Sequence, residues 1–167
     1  MLEIKSQAMK RSILLLFLIL IPVLGCNDTS AHFKSYKKSI LTLEDGEKIT
    51  IYIAQSHEEQ ELGLSGIKPD QLADDEGMLF PEEKMQNRMF WMPNTHMDLD
   101  IFFLNGDFYV LDIHRNLKHF PKRQPERDIP RSKTVYSQHV LELKSSSPLA
   151  KKIKRGMILD ISEPKKD

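Results

Sequence analysis

Leu99-Asp-Ile-Phe-Phe-Leu-Asn-Gly-Asp-Phe-Tyr-Val-Leu-Asp-Ile113 is the stretch that decides the fold. Two apolar runs flank Asn105-Gly106, the dipeptide best suited to the positive-φ positions of a tight hairpin turn. Taken as a two-residue loop, it pairs Leu104 with Asp107, Phe103 with Phe108, Phe102 with Tyr109, Ile101 with Val110 and Asp100 with Leu111. Side chains alternate between the faces of a strand, so both faces of this ribbon carry large apolar groups. Such a ribbon has to be covered on both sides. The expectation is a mainly β (α+β) chain, a compact β-barrel or sandwich-like single domain. About two short helices belong to it, with a helix or loop packed outside the sheet.

The flanking segments read the same way. Residues 39–43 are strand-like, Glu44-Asp45-Gly46-Glu47 is a turn, and Ile49, Ile51 and Ile53 alternate with Lys48, Thr50 and Tyr52. This is a second hairpin with one apolar face. Ser56 and Glu59 have capping-box spacing and open a short helix that Gly63 or Gly66 ends. Further strands are predicted over 78–80, 88–92, 135–143 and 157–161. Ser147-Pro148 starts a second helix, with Ser as N-cap, Pro at the first position and Gly156 at the end. Residues 116–133, with Pro121, Pro125 and Pro130, form a long loop.

Three ordered motifs carry a resemblance. They are Asp75-Glu-Gly-Met-Leu-Phe80, Phe90-Trp-Met-Pro-Asn-Thr95 and Leu99-Asp-Ile-Phe-Phe103. Gly63-Leu64, the Val-Leu-Glu-Leu of residues 140–143 and Gly156 fit the same pattern. Over roughly residues 49–161 the chain resembles the domain-of-unknown-function-192 family. The resemblance implies a small, mainly β domain, often exported, with no established activity. The chain departs from the family pattern at Pro93, where Lys is usual, at Asp98, where Pro is usual, and at Ser65-Gly66, which replaces Met-x-Arg.

The chemistry-bearing residues cluster around these motifs. Phe90, Trp91, Asn94, Thr95 and Asp100 form the candidate ligand-binding group, because an aromatic face stacks on a ring while polar side chains orient it. Alternation puts Phe90 and Met92 on one face and Trp91 on the other. The default for Trp91 is the core, with its indole N–H on a backbone carbonyl. Asn94 and Thr95 are expected to brace their own turn. Asp100, among apolar neighbours, needs donors, and the backbone N–H groups of the 93–95 turn are the expected source. Glu142, between Leu141 and Leu143, poses the same question. Asp100 with Glu142 or His96 is the weaker, catalytic alternative, since two carboxyl groups about 5–9 Å apart can perform glycoside chemistry. His96, Asp98 and Asp100, at alternate positions, are a weak metal-binding set. Residues 115–133 hold seven Lys or Arg against Glu126 and Asp128. They read as a solvated or anion-facing loop.

The N-terminus carries a different message. Lys10 and Arg11 precede an apolar stretch over 13–24, too short for a bilayer-spanning helix of about 20 residues. Val23-Leu24-Gly25-Cys26 resembles a lipobox, and Cys26 is the only cysteine of the 167-residue chain. The expected organisation is a signal peptide over 1–25, lipidated Cys26 with a flexible tether to 38, a single mainly β domain over 39–162 and a polar tail over 163–167. Removing Glu3, Lys5, Lys10 and Arg11 leaves 21 basic and 23 acidic residues, a net of −2. That balance points away from nucleic acid as a partner. No cofactor motif and no nucleophile motif is present. The expected protein is an exported lipoprotein on the periplasmic side of a membrane or on the outer membrane. Its expected role is non-catalytic binding of a small or glycan-like ligand. The alternatives are an envelope hydrolase, and an assembly lipoprotein that docks a protein partner through Met85, Met89 and Met92.

Overall fold

Alternating apolar residues, punctuated by turns, build nine strands and two short helices in the computed structural model, which describes residues 32–162. The strands of the main sheet are β1 (Lys37–Thr42), β2 (Lys48–Ile53), β3 (Glu76–Phe80), β5 (Leu99–Leu104), β6 (Val110–Leu117), β8 (His139–Lys144) and β9 (Asp160–Ser162). Their spatial order is β6-β5-β8-β3-β2-β1-β9, and β4 (Gln86–Arg88) pairs with β7 (Val135–Ser137) as a separate two-stranded sheet. All pairings in the main sheet are antiparallel except β2 with β3. The connection between those two parallel strands carries α1 (His57–Leu62), whose Ser56–Glu59 capping box is complete. The sheet curls until its edges meet: Tyr109 bridges Ile158, and the Val110 N–H donates to the Met157 carbonyl at 2.8 Å.

All six residues of β5 are buried, as a ribbon apolar on both faces requires. One face packs Phe102 and Leu104 with Leu41, Ile51, Leu141 and Leu143, and is filled by Ala150 and Ile153 at α2 (Pro148–Lys152). The other face packs Ile101 and Phe103 with Met78, Phe80, Val140 and Met92. It is covered by Phe33 and Tyr36, by Leu64, Ile67 and Leu72 after α1, and by Met97, Leu117 and Ile129. Each large apolar side chain buried this way contributes about 1.5–3 kcal/mol.

Several expectations are corrected. The β5–β6 connection is a five-residue loop, because Leu104 pairs with Val110, Phe103 with Asp112 and Phe102 with Ile113. Phe108, not Gly106, takes the left-handed conformation (φ +57°), and the Asn105 carboxamide oxygen accepts from the Asp107 and Tyr109 N–H groups. Gly106 is instead a place of close approach, where an added Cβ would lie 2.8 Å from Gln138 Oε1. The segment 135–143 is split at Gln138, whose amide nitrogen donates to the Glu82 and Glu83 carbonyls. The strand expected over 88–92 survives only as β4 and an isolated Trp91–Arg131 bridge. Finally, residues 32–38 are not a loose tether. Phe33 and Tyr36 are buried in the core, and the two rings of Phe33 and Tyr52 meet edge-to-face at 4.9 Å. Cys26, the signal segment and the 163–167 tail lie outside the described residues.

Candidate functional site

A cleft of about 710 Å³ opens between α1, the chain from Arg88 to Thr95 and residues Arg123 and Gln124, with Phe80, Leu99 and Glu142 at the sheet beneath it. Clefts that hold small molecules have volumes of about 300–1,000 Å³. The alternation after β4 builds the near wall. Arg88, Phe90 and Met92 turn toward the core, whereas Met89 and Trp91 turn outward at 49% and 46% exposure. Trp91 therefore lines the cleft instead of the core, with the Arg131 guanidinium 5.8 Å from its ring centre. Phe90 is half-buried against Phe80, edge-to-face at 4.9 Å. Thr95 is buried on the wall, and its backbone exchanges hydrogen bonds with Phe120. Asn94 sits outside the lining, in a left-handed turn conformation (φ +53°), its carbonyl accepting from Gly66 N–H.

The two motif carboxyl groups go to different places. In the β5–β8 pairing Asp100 lies opposite Leu143, and Ile101 opposite Glu142. Opposed residues share a face and adjacent ones do not, so Asp100 and Glu142 point to opposite sides of the sheet. They form no catalytic pair. Asp100 is fully engaged. It accepts from Arg115 Nη1 at 2.6 Å, from the Asn116 N–H at 2.8 Å and from Ser145 Oγ at 2.8 Å. A bulge in β6 between the partners of Leu99 and Ile101 makes this geometry, with Asn116 at φ +55°. Arg115 also donates to the carbonyls of Ala150 and Ile153, tying α2 to the sheet. The donors expected from the 93–95 turn are thus supplied by β6 and by Ser145.

Glu142 is 4% exposed and lines the cleft, and among the described residues its carboxyl has no hydrogen-bond partner. Burial alone pushes its pKa up to about 8, so at neutral pH it is an uncharged acid able both to donate and to accept.

The weak metal set does not assemble. Burial works against the Asp98 carboxylate, but hydrogen bonds from Lys118 and from the His119 backbone and ring hold its pKa down to about 2. Asp100 faces the Arg115 side, and His96 lines no part of the cleft. Among the described residues no three His, Cys, Asp or Glu side chains gather where they could hold a metal ion.

Sequence reading missed Arg88, and it named the 115–133 basic loop, Ser65 and the helix of α1 without placing them at this cleft. Arg88 stood two places before Phe90, so alternation already turned it inward. It is buried, stacks on Phe90 at 5.4 Å and reaches Gln138 O and Glu82 Oε1 at 3.3 and 3.4 Å, while burial lowers its pKa. Ser65 Oγ donates to the Pro93 carbonyl at 3.1 Å, joining two positions that depart from the resembled pattern.

Residues 40–161 match the model of DUF192, a family described as uncharacterised, and the chain belongs to that family. Two solved structures share this mainly β fold. One, from Sinorhizobium meliloti 1021 and described as a candidate transcription regulator, is 28% identical with a TM-score of 0.57, covering 75% of this chain and 92% of that one. The other, a protein of unknown function from Novosphingobium aromaticivorans, is 26% identical with a TM-score of 0.56, covering 74% and 83%. No curated protein matches the chain.

Proposed function

We propose that this protein is an exported, lipid-anchored binding module whose cleft beside Trp91 holds a small or glycan-like ligand without transforming it. One observation carries the reading: a half-exposed tryptophan and a buried carboxyl that no described residue satisfies line the same cleft. Aromatic surface and a few convergent polar groups are what small-molecule clefts use. Arg123, on the basic loop, adds a cation to the wall. The separation of Asp100 from Glu142 counts against the Asp100–Glu142 form of the hydrolase alternative. The assembly alternative is weakened at Met92, which is 1% exposed.

Trp91 is the only tryptophan of the chain, so its fluorescence reports on the cleft alone. A thermal-shift and fluorescence screen of the lipid-free domain against envelope glycans tests the reading. A ligand at 100 times its dissociation constant adds about 2.7 kcal/mol of stability, and Trp91→Ala abolishes that gain while leaving the fold intact. A panel that moves neither signal rejects it. Anchoring is checked separately: mass spectrometry of the N-terminal peptide shows acylated Cys26, and Cys26→Ser releases the protein from the membrane. An unmodified Cys26 in membrane-extracted protein removes the anchor from the account.

A further inference from the structure

Glu142 enters the cleft from the middle of β8. Its neighbours across the sheet are Met78 on β3 and Ile101 on β5, and neither can hydrogen-bond through its side chain in any useful way. Its oxygens reach the cleft surface, whereas the fully shielded side-chain atoms without a partner among the described residues are Tyr36 Oη and Ser137 Oγ. The titratable groups around Glu142 are His57, Glu58 and Glu61 of α1, Arg88 of β4 and Arg123 of the basic loop, with Lys144 two places along β8. None of them bonds to Glu142. Arg88 is turned to Gln138 and Glu82, and Lys144 is paired with Asp74 at 2.7 Å.

Resting on the reading of this cleft as a binding site, we infer that Glu142 is its recognition group for an uncharged polyhydroxylated ring, a sugar, two adjacent hydroxyls of which meet the carboxyl's two oxygens. A protonated carboxyl offers one O–H donor and one carbonyl acceptor. Adjacent hydroxyls can accept the first and donate to the second. An ammonium ligand would force the carboxyl to ionise among Met78, Leu99 and Ile101, at the cost of burying charge. A carboxylate ligand would have only Arg123, on the wall, to pair with, because Arg88 is engaged with Glu82 and Gln138. Trp91 at the rim supplies the aromatic surface on which the apolar face of a sugar ring rests.

Raising the pH through about 8 removes the donor and with it the fit. At pH 9 only about a tenth of the sites remain protonated, so affinity falls roughly tenfold. The test uses the full chain in a detergent without a sugar headgroup. Maltose and N,N′-diacetylchitobiose are the neutral probes, and glucosamine and glucuronate the charged ones, followed by Trp91 fluorescence at pH 6 and pH 9. At least one neutral probe gives a saturable change at pH 6 that is roughly tenfold weaker at pH 9. Glu142→Gln, which keeps a donor and an acceptor and cannot ionise, binds equally at both pH values. Glu142→Leu loses about tenfold in affinity, the worth of one or two neutral hydrogen bonds. Binding by Glu142→Leu equal to that of the unmodified protein, or tighter binding of either charged probe, overturns the inference and leaves the cleft as a binding site. Silence from all four probes, in fluorescence and in thermal stability alike, overturns both.

Discussion

Asp100 and Glu142 lie on neighbouring antiparallel strands, one register step apart, each a carboxyl between large apolar residues. On the Asp100 side the sheet has a bulge, an arginine and a serine, and three hydrogen bonds reach the carboxylate. On the Glu142 side it has Met78 and Ile101, and beyond them a cleft. The same residue chemistry therefore serves two purposes. Asp100 holds α2 and β6 to the sheet through Arg115, which is a structural task. Glu142 is buried without a partner at the cleft, which costs stability, and in the function proposed above this is where a ligand meets it.

The largest expected difference is in pH dependence. The Glu142 carboxyl has a raised folded-state pKa, near 8 against an ordinary 4.5. Between those values the folded protein binds more protons than the unfolded chain, so its stability falls as pH rises through that window. The loss is about 1.4 kcal/mol per pH unit, on the order of 4 kcal/mol over three units. Chemical denaturation at pH 5 and pH 8 should show this fall in the unmodified protein and a much shallower one in Glu142→Gln. Equal slopes would mean that Glu142 has found a partner.

Asp100→Ala is next in size. It leaves Arg115, Ser145 Oγ and the Asn116 N–H without their acceptor, and removing one member of a buried pair costs about 3–5 kcal/mol. Arg115 is 39% exposed and can recruit water, so the lower end, about 3 kcal/mol, is expected from urea unfolding. A loss below about 1 kcal/mol would erase the contrast between the two carboxyl groups.

Gly77→Ala probes the ground beneath Glu142. An added Cβ would lie 2.2 Å from Leu143 Cδ2 and 2.7 Å from the Glu142 carbonyl oxygen. Overpacking of this kind costs about 1–3 kcal/mol. The strand that bears Glu142 has to move, so Trp91 fluorescence should also change. A neutral substitution would show that β3 and β8 are not held at this separation.

The cover on both faces of β5 was legible because Leu99, Ile101, Phe103 and Phe102, Leu104 are apolar at both parities. The Ser56 cap and the turn at Gly46 were legible from local chemistry. The β5–β6 register was not, because Asn105-Gly106 suits a two-residue turn, while the structure closes the loop through the Asn105 side chain and a left-handed Phe108. Phe33 and Tyr36 were hidden among lysines and serines, and only tertiary packing shows them to be core. Alternation placed Trp91 opposite Phe90 and Met92, but could not say which side was wet. For Glu142, its apolar neighbours were visible in the sequence. Its lack of a partner depends on Met78 and Ile101, which only strand pairing brings beside it.

The most direct test of this account is the carboxyl carbon resonance of Glu142, followed by carbon-13 NMR from pH 4 to pH 10 and assigned with Glu142→Gln. A buried, unpartnered carboxyl at the cleft floor titrates with a midpoint close to 8. A midpoint near 4.5, the ordinary value, would contradict it, because Glu142 would then be hydrated or paired and the cleft would hold no uncharged acid for a ligand to meet.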